Sequence, residues 1–127
     1  MRIALDSSAY IDSCNGDTGI LKTIQSAENV YMPVIVLGEM RAAFLNGSQA
    51  VKNEQILVRF LNQYGVELLF PDEQTTHHYA RLQFQLKKQG TPIPHNDLWI
   101  AALVAQHDLY LCARDKHFDS LPQIPRI

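Results

Sequence analysis

Short apolar segments with the length of strands alternate along this chain with longer segments that have helical spacing. Strands that alternate with helices predict a parallel sheet with helices on both of its faces. We therefore expect an α/β fold, a three-layer α/β/α sandwich with a central parallel sheet of four or five strands. The predicted strands are 2–5, 29–32, 66–70 and 109–112, with a last short one near Ile124.

Capping and turn-forming residues set the predicted limits of the helices. Asp17 can cap a helix that runs through Leu21 and Ile24. Pro33 suits the first turn of the next helix, which is expected to stop at the Asn-Gly pair 46–47. Further helices are predicted from 50 to the Tyr-Gly pair 64–65, from 73 to 88 with Tyr79, Leu82 and Leu86 facing the core, and from 98 to 106 after an opening at 96–97.

Length and composition limit the classes of protein that this chain can be. Its 127 residues, 46% hydrophobic and 19% charged, suit one globular domain over residues 1–127. No apolar run can span a bilayer, and the acid at position 6 comes too early for a signal peptide. Cys14 and Cys112 stand far apart, which predicts a reduced, cytoplasmic protein. The net charge of −2 argues against a general basic surface for nucleic acid, but it permits a site that holds phosphates through a metal.

A glutamate lies near the middle of a very apolar predicted helix. The neighbours of Glu39 one helical turn away are Ile35, Val36, Ala42 and Ala43, and none of them can pair with a carboxylate. A buried charge without a partner is costly, so the fold must supply a cation or neutralise the group. Neither a cap nor a turn explains Glu39, which favours a functional interpretation.

Three aspartates could meet Glu39 at one edge of the sheet. Asp6 follows the first predicted strand and Asp115 follows the fourth, so both belong at the carboxyl edge, where such sheets bind ligands. Asp97 opens a helix that runs antiparallel to the strands, and we expect that helix to begin at the opposite edge unless its first turn overhangs the sheet. Each aspartate also has a structural interpretation: a helix cap or helix-dipole partner for Asp97, a turn former for Asp6 and a solvated loop charge for Asp115.

Clustered acids predict a hard divalent cation. Carboxylates that share a site without a metal repel one another, which raises their pKa values. Oxygen ligands suit Mg²⁺ or Mn²⁺, whereas zinc prefers His and Cys. The histidines lack the spacing of a zinc motif, and we interpret most of them as surface or packing residues. A divalent cation can position water, lower its pKa and stabilise a phosphodiester under attack.

Four blocks of sequence carry these acids. They are Ala4-Leu5-Asp6-Ser7-Ser8, Val36-Leu37-Gly38-Glu39, Pro94-His95-Asn96-Asp97-Leu98-Trp99-Ile100-Ala101-Ala102 and Arg114-Asp115-Lys116-His117-Phe118. In this order they resemble the blocks of PIN-domain ribonucleases, and most of all the VapC toxins of bacterial and archaeal toxin–antitoxin pairs. The resemblance runs from end to end, and the N-D-x-x-I-A-A and R-D-x-x-F blocks are specific in combination. It implies a PIN-like α/β/α sandwich that gathers its acids in one pocket.

The resemblance also implies roles for the four acids. Asp6 and Asp97 would be direct ligands of Mg²⁺, with Mn²⁺ as a substitute. Asp115 would bind directly or through water, and Glu39 would hold a metal-bound water or a second ion. The implied activity is that of an endoribonuclease toxin, which hydrolyses RNA phosphodiester bonds by metal-activated water. The implied partners are RNA, a cognate VapB-type antitoxin whose tail plugs the acidic pocket, and a second copy of the chain in a homodimer.

Three positions depart from the family pattern. The family commonly has Thr and then Asn after the first Asp, where this chain has Ser7 and Ser8, and it often has a hydroxyl residue where Ala113 stands. These changes affect the positioning of substrate or water, not the metal-binding acids. The candidate substrate-positioning residues are Ser7, Ser8, Asn96 and Arg114, and Asn96 has a helix cap as its structural alternative.

Two other functions are compatible with parts of the pattern. A catalytically inactive PIN-like binding or regulatory module would keep the fold without turnover; Ala113 favours this reading and the retained acids oppose it. A phosphoacceptor receiver or a phosphatase also places an Asp after a strand. Receivers, however, have an acidic pair near the first strand, and haloacid-type phosphatases have a second Asp two residues on, where this chain has Ser8.

Overall fold

Four parallel strands form one sheet in the computed structural model, which describes every residue from Met1 to Ile127. The sheet order is β3-β2-β1-β4, and all four predicted strands are confirmed to within one residue at each end. No fifth strand forms near Ile124, because the carboxyl-terminal segment makes only an isolated parallel bridge between Leu111 and Arg126. The strands are β1 Arg2–Leu5, β2 Asn29–Pro33, β3 Val66–Leu69 and β4 Tyr110–Cys112.

Six α-helices and one 3₁₀ helix connect and cover the strands. Five of the α-helices were expected, whereas α1 and the 3₁₀ helix η1 were not. None of the helices is both long enough and apolar enough to cross a bilayer. The helices are α1 Ser7–Cys14, α2 Thr18–Ser26, α3 Val34–Leu45, α4 Ala50–Leu61, α5 Glu73–Gln89, α6 His95–His107 and η1 Lys116–Ser120.

Alternate residues of the strands enter two separate apolar clusters, one on each face of the sheet. In β1, Ala4 belongs to the larger cluster, which contains the buried apolar residues of α3, α5 and α6. Ile3 and Leu5 belong to the smaller cluster, together with Ala9 of α1 and Ile20 of α2. The expected three-layer α/β/α arrangement is therefore present, with a four-stranded parallel sheet in the middle.

The helix ends follow the capping chemistry of the sequence at some sites and not at others. The side chain of Asp17 caps α2 as expected, accepting a 3.0 Å hydrogen bond from the amide of Ile20. Pro33 ends β2 and is the N-cap of α3, so it precedes the first helical turn in which it was predicted. Pro94 holds the same position before α6. Neither Asn96 nor Asp97 is the helix cap, since both lie inside the first turn. The position of Asp97 does fit its other structural interpretation, a partner of the helix dipole.

Helix α6 begins at the carboxyl edge of the sheet, so our expectation that its direction would separate Asp97 from the other acids is wrong. The carbonyl of His107, at the end of α6, accepts a 2.8 Å hydrogen bond from Arg2, the first residue of β1. The end of the helix thus lies at the amino edge of the sheet. A helix antiparallel to the strands must then start at their carboxyl ends, which carries Asp97 toward Asp6 and Asp115.

Candidate metal centre

The ends of β1 and β4 bring two acids to the same edge of the sheet. Leu5 pairs with Cys112, and the amide of Asp6 donates a 3.2 Å hydrogen bond to the carbonyl of Cys112. Asp115 lies three residues beyond Cys112 and is the N-cap of η1, where its Oδ1 accepts a 2.9 Å hydrogen bond from the amide of His117. The backbone therefore fixes Asp6 and Asp115 on neighbouring strand ends.

Asp6 is a buried carboxylate that is held by the first turn of α1. It is the N-cap of that helix and is 5% exposed. Its Oδ1 accepts hydrogen bonds of 2.8 Å from the amide of Ala9 and of 2.8 Å from the hydroxyl of Ser8. Burial raises the pKa of Asp6, the two hydrogen bonds oppose the rise, and the charges of Asp97 and Asp115 add to it. A positive ion at this position would relieve both the burial penalty and the repulsion.

Glu39 is half-buried and is held by hydrogen bonds from both sides of the site. Its Oε1 accepts a 2.8 Å hydrogen bond from the hydroxyl of Ser7, the first residue of α1. Its Oε2 lies 3.5 Å from the side-chain amide nitrogen of Asn96 in the first turn of α6. Glu39 has no partner on its own apolar helix. Its carboxylate is instead hydrogen-bonded by neutral donors next to Asp6 and Asp97, not paired with a cationic side chain.

Asp97 joins the group from the first turn of α6. Burial raises the pKa of Asp97, a hydrogen bond with His117 opposes the rise, and the charges of Asp115 and Glu39 add to it. The Oδ2 of Asp97 lies 2.8 Å from Nδ1 of His117, and the same nitrogen lies 3.0 Å from Oδ1 of Asp115. Asp97 and Asp115 thus act electrostatically on Asp6, and Asp115 and Glu39 act on Asp97, so that Asp97 links the four carboxylates.

Three of the four candidate positioning residues contact the acids, and the fourth has other partners. Ser7, Ser8 and Asn96 each donate to one of the carboxylates, as described above. The guanidinium of Arg114 instead pairs with Asp12 of α1 at 3.2 Å and with Asp17, the N-cap of α2, at 2.7 Å. Arg114 thus ties the corner between α1 and α2 to the loop that carries Asp115.

His117 is a contact of the acidic pocket that the sequence analysis missed. Ligand atoms of Asp97, Asp115 and His117 all lie within 4.8 Å of one another, so these three side chains could hold a metal ion. The signal was available, since His117 stands inside the R-D-x-x-F block. Its spacing to the other histidines says nothing, because its neighbours in the site are carboxylates.

The oxygen-rich donor set suits a divalent cation. Two of its carboxylates, the buried Asp6 and the partly buried Asp97, have raised pKa values, and a hydrogen bond from Ser7 holds a third, Glu39. Repelling carboxylates of this kind cost free energy unless a cation or a proton neutralises them. Hard oxygen ligands of this type fit Mg²⁺ or Mn²⁺.

Comparisons with known proteins converge on one family. The model of the PIN domain matches residues 3–124. The chain is similar to ribonuclease VapC5 of Mycobacterium tuberculosis, with 29% identity over 117 residues, 92% of this chain and 85% of that protein. Its fold is similar to VapBC-5 of M. tuberculosis, a member of the VapBC family of toxin–antitoxin systems, with 26% identity, a TM-score of 0.74 and coverage of 98% and 93%. It is also similar to Rickettsia felis VapBC2 bound to a promoter DNA fragment, with 20% identity, a TM-score of 0.87 and coverage of 100% and 98%.

Proposed function

Because the chain belongs to the PIN-domain family, as a VapC-type ribonuclease toxin of a toxin–antitoxin system, we propose that it cleaves RNA with a divalent ion held by Asp6, Asp97 and Asp115. Glu39 completes the acidic pocket. The ion is Mg²⁺, for which Mn²⁺ can substitute. The observation that carries the proposal is the convergence of four carboxylates from four distant segments of the chain, two of them with pKa values raised by burial and mutual repulsion.

Each acid has its own part in holding the ion and the water. Asp6 and Asp97, the two acids with raised pKa values, bind the ion directly, and Asp115 binds it directly or through water. A divalent ion in such a site supplies Lewis-acid stabilisation of the phosphate charge and lowers the pKa of a water molecule. Glu39, held between Ser7 and Asn96, orients the attacking water by accepting a hydrogen bond from it.

The neighbouring side chains keep the carboxylates in place. Ser8 and the amide of Ala9 fix one oxygen of Asp6, which leaves the other oxygen for the ion. Ser7 and Asn96 fix Glu39 from opposite sides. A displacement of a reacting group by about 1 Å can cost roughly 10²-fold in rate, so these contacts are part of the machinery.

We also propose two protein partners. VapBC-5 of M. tuberculosis is a member of the VapBC family of toxin–antitoxin systems, which supports a cognate VapB-type antitoxin for this chain. The second partner is another copy of the chain in a homodimer. Apolar side chains left at the solvent surface, such as Leu45 at 82% and Val51 at 74% exposure, support a protein contact near the junction of α3 and α4. Light scattering of the chain alone and with the antitoxin tests both assignments.

An RNA cleavage assay tests the proposed activity. The wild-type protein is expected to cleave RNA with Mg²⁺ or Mn²⁺ and to stop when a chelator is added. Asp6→Asn and Asp97→Asn should lose at least about 10²-fold in rate, the scale on which such charge-stabilising groups act. Asp108→Asn is the matched control, because Asp108 is exposed at the end of α6 with a φ of 54°, which Asn tolerates. Undiminished cleavage by the two site variants, or none by the wild type, would contradict the proposal.

A further inference from the structure

An imidazole nitrogen lies between two of the carboxylates that we assign to the metal. Nδ1 of His117 is 2.8 Å from Oδ2 of Asp97 and 3.0 Å from Oδ1 of Asp115. Neighbouring ligand atoms around one octahedral ion, each about 2.1 Å from it, are separated by about 3 Å. The two distances from Nδ1 fit hydrogen bonds and equally fit neighbouring ligands on one ion, and the ligand atoms of all three side chains lie within 4.8 Å of one another.

The local structure delivers this imidazole to the pocket. His117 is the second residue of η1, whose N-cap is Asp115 itself. The next residue, Phe118, is 1% exposed and anchors the turn in the core, with the Arg126 guanidinium over its ring. The side chain of His117 is 46% exposed, so it can adjust to an ion without opening the core.

We propose that His117 is a nitrogen ligand of the divalent ion, together with Asp97 and Asp115, and that it strengthens the binding of first-row transition ions such as Mn²⁺ more than the binding of Mg²⁺. This inference rests on the proposed function and goes beyond the four acids. Imidazole nitrogen suits transition ions, whereas Mg²⁺ prefers oxygen ligands and water. As a ligand, His117 presents the lone pair of Nδ1 and carries its proton on Nε2.

Spectroscopy of bound Mn²⁺ tests the ligand assignment directly. Electron spin echo envelope modulation of the Mn²⁺ protein is expected to show coupling to ¹⁴N in the wild type and to lose it in His117→Gln. His77→Gln is the matched control, because His77 is exposed on α5 and its loss should leave the coupling unchanged. The inference is overturned if wild-type Mn²⁺ shows no ¹⁴N coupling or if His117→Gln retains it. A histidine that only donates a hydrogen bond to the two carboxylates would give that result.

Affinities measured by calorimetry test the selectivity. His117→Gln is expected to weaken Mn²⁺ binding by about tenfold or more and Mg²⁺ binding by clearly less. Equal losses for the two ions, or no loss, would overturn the selectivity. Thermal melts of the apo variant check that it folds.

The same titrations separate this inference from the proposed function. If Asp97→Asn abolishes Mn²⁺ binding but Mn²⁺ bound to the wild type shows no nitrogen coupling, the acidic site is supported and the proposed role of His117 is wrong. If the wild type binds neither ion, the proposed function itself fails.

Discussion

The hydroxyl of Ser7 donates a 2.8 Å hydrogen bond to Oε1 of Glu39, which joins the start of α1 to the middle of α3 across 32 residues of the chain. Because Ser7 directly follows Asp6, this single contact sets the position of one acid relative to another. Asn96 repeats the arrangement from α6, where it directly precedes Asp97. Each contact therefore couples Glu39 to a neighbouring strand end or helix start.

Removal of the Ser7 hydroxyl should slow RNA cleavage without unfolding the protein. A hydrogen bond to a charged group is worth about 1.5–3 kcal/mol, so Ser7→Ala is expected to lower kcat by roughly tenfold or more. Ser7→Thr keeps the hydroxyl and should retain most of the activity. Ser13→Ala, on the same helix but bonded to the carbonyl of Tyr10, is the control. Equal rates for Ser7→Ala and Ser7→Thr would show that the contact has no catalytic part.

Asp6→Asn should stabilise the metal-free protein at neutral pH. The pKa of Asp6 is raised in the folded state, so its ionisation costs stability at all pH values above the raised pKa, and the cost disappears below about pH 4, where Asp is protonated in both states. Asn removes the charge and keeps the capping oxygen for Ala9. In chelator at pH 7 we expect a Tm higher by a few degrees, with an advantage that vanishes on acidification.

Added Mn²⁺ should reverse the order of stabilities, because only the wild type gains binding energy from the full site. Asp108→Asn, away from the pocket, should show neither effect. If Asp6→Asn melts below the wild type in chelator at pH 7, the ionised Asp6 carboxylate does not destabilise the fold, and the account of its burial and repulsion is contradicted.

Arg114→Gln should raise the pKa of Asp17. A backbone hydrogen bond from Ile20 lowers the pKa of Asp17, and the hydrogen bond and charge of Arg114 lower it further. The variant is therefore expected to move the pKa part of the way back to its ordinary value, as followed by NMR titration of the side-chain carboxyl. A lowered pKa stabilises the fold at neutral pH, and this stabilisation is lost as the pH falls. The variant should therefore have a lower free energy of unfolding than the wild type at pH 7, and the difference should shrink at low pH.

Arg59→Gln on the exposed face of α4 is the control for charge loss, and it should leave the titration of Asp17 unchanged. High salt should shrink the effect of Arg114→Gln, because Arg114 is solvent-exposed. An unchanged pKa of Asp17 in Arg114→Gln would show that the ion pair with Arg114 does not lower this pKa.

Arg126→Ala should loosen the loop that carries Asp115. Arg126 donates to the carbonyl of Ala113 at 2.8 Å and to the carbonyl of Asp115 at 3.2 Å, and it pairs with Asp119. Loss of these charge-assisted hydrogen bonds is expected to lower the free energy of unfolding by about 1.5–3 kcal/mol. Urea denaturation measures this change, and calorimetry should show weaker Mn²⁺ binding. Arg81→Ala on α5 is the exposed control. If Arg126→Ala binds Mn²⁺ with wild-type affinity, Arg126 has no role in positioning Asp115 for the metal.

Most of the fold could be predicted from the sequence, because apolar spacing and caps such as Asp17 mark the strands and the longer helices. Helix α1 was missed for a physical reason. Its eight residues bury only Ala9 and Tyr10, so the pattern is too short to display a helical period. Its N-cap, Asp6, was interpreted as a turn former or a metal ligand after a strand, not as a helix cap. The 3₁₀ helix was missed because it is five residues long and has no period of its own.

The candidate site was harder to predict than the fold, since its contacts join distant segments. The apolar surroundings of Glu39 indicated that its carboxylate needs a hydrogen-bond or ionic partner, but not that Ser7 and Asn96 would be the donors. The antiparallel direction of α6 was expected, but its start was placed at the wrong edge of the sheet. His117 was set aside because imidazoles were sought at zinc spacings, although its partners are two carboxylates, Asp97 on α6 and Asp115 two residues before it.

Anomalous diffraction from crystals soaked in Mn²⁺ tests most directly whether the acids share an ion. We expect an anomalous peak with carboxylate oxygens of Asp6 and Asp97 at about 2.2 Å from it, Asp115 at the same ion or one water away, and no such peak in Asp97→Asn crystals. A fully soaked crystal in which Mn²⁺ binds only elsewhere, or in which these carboxylates stay without an ion, would contradict the account.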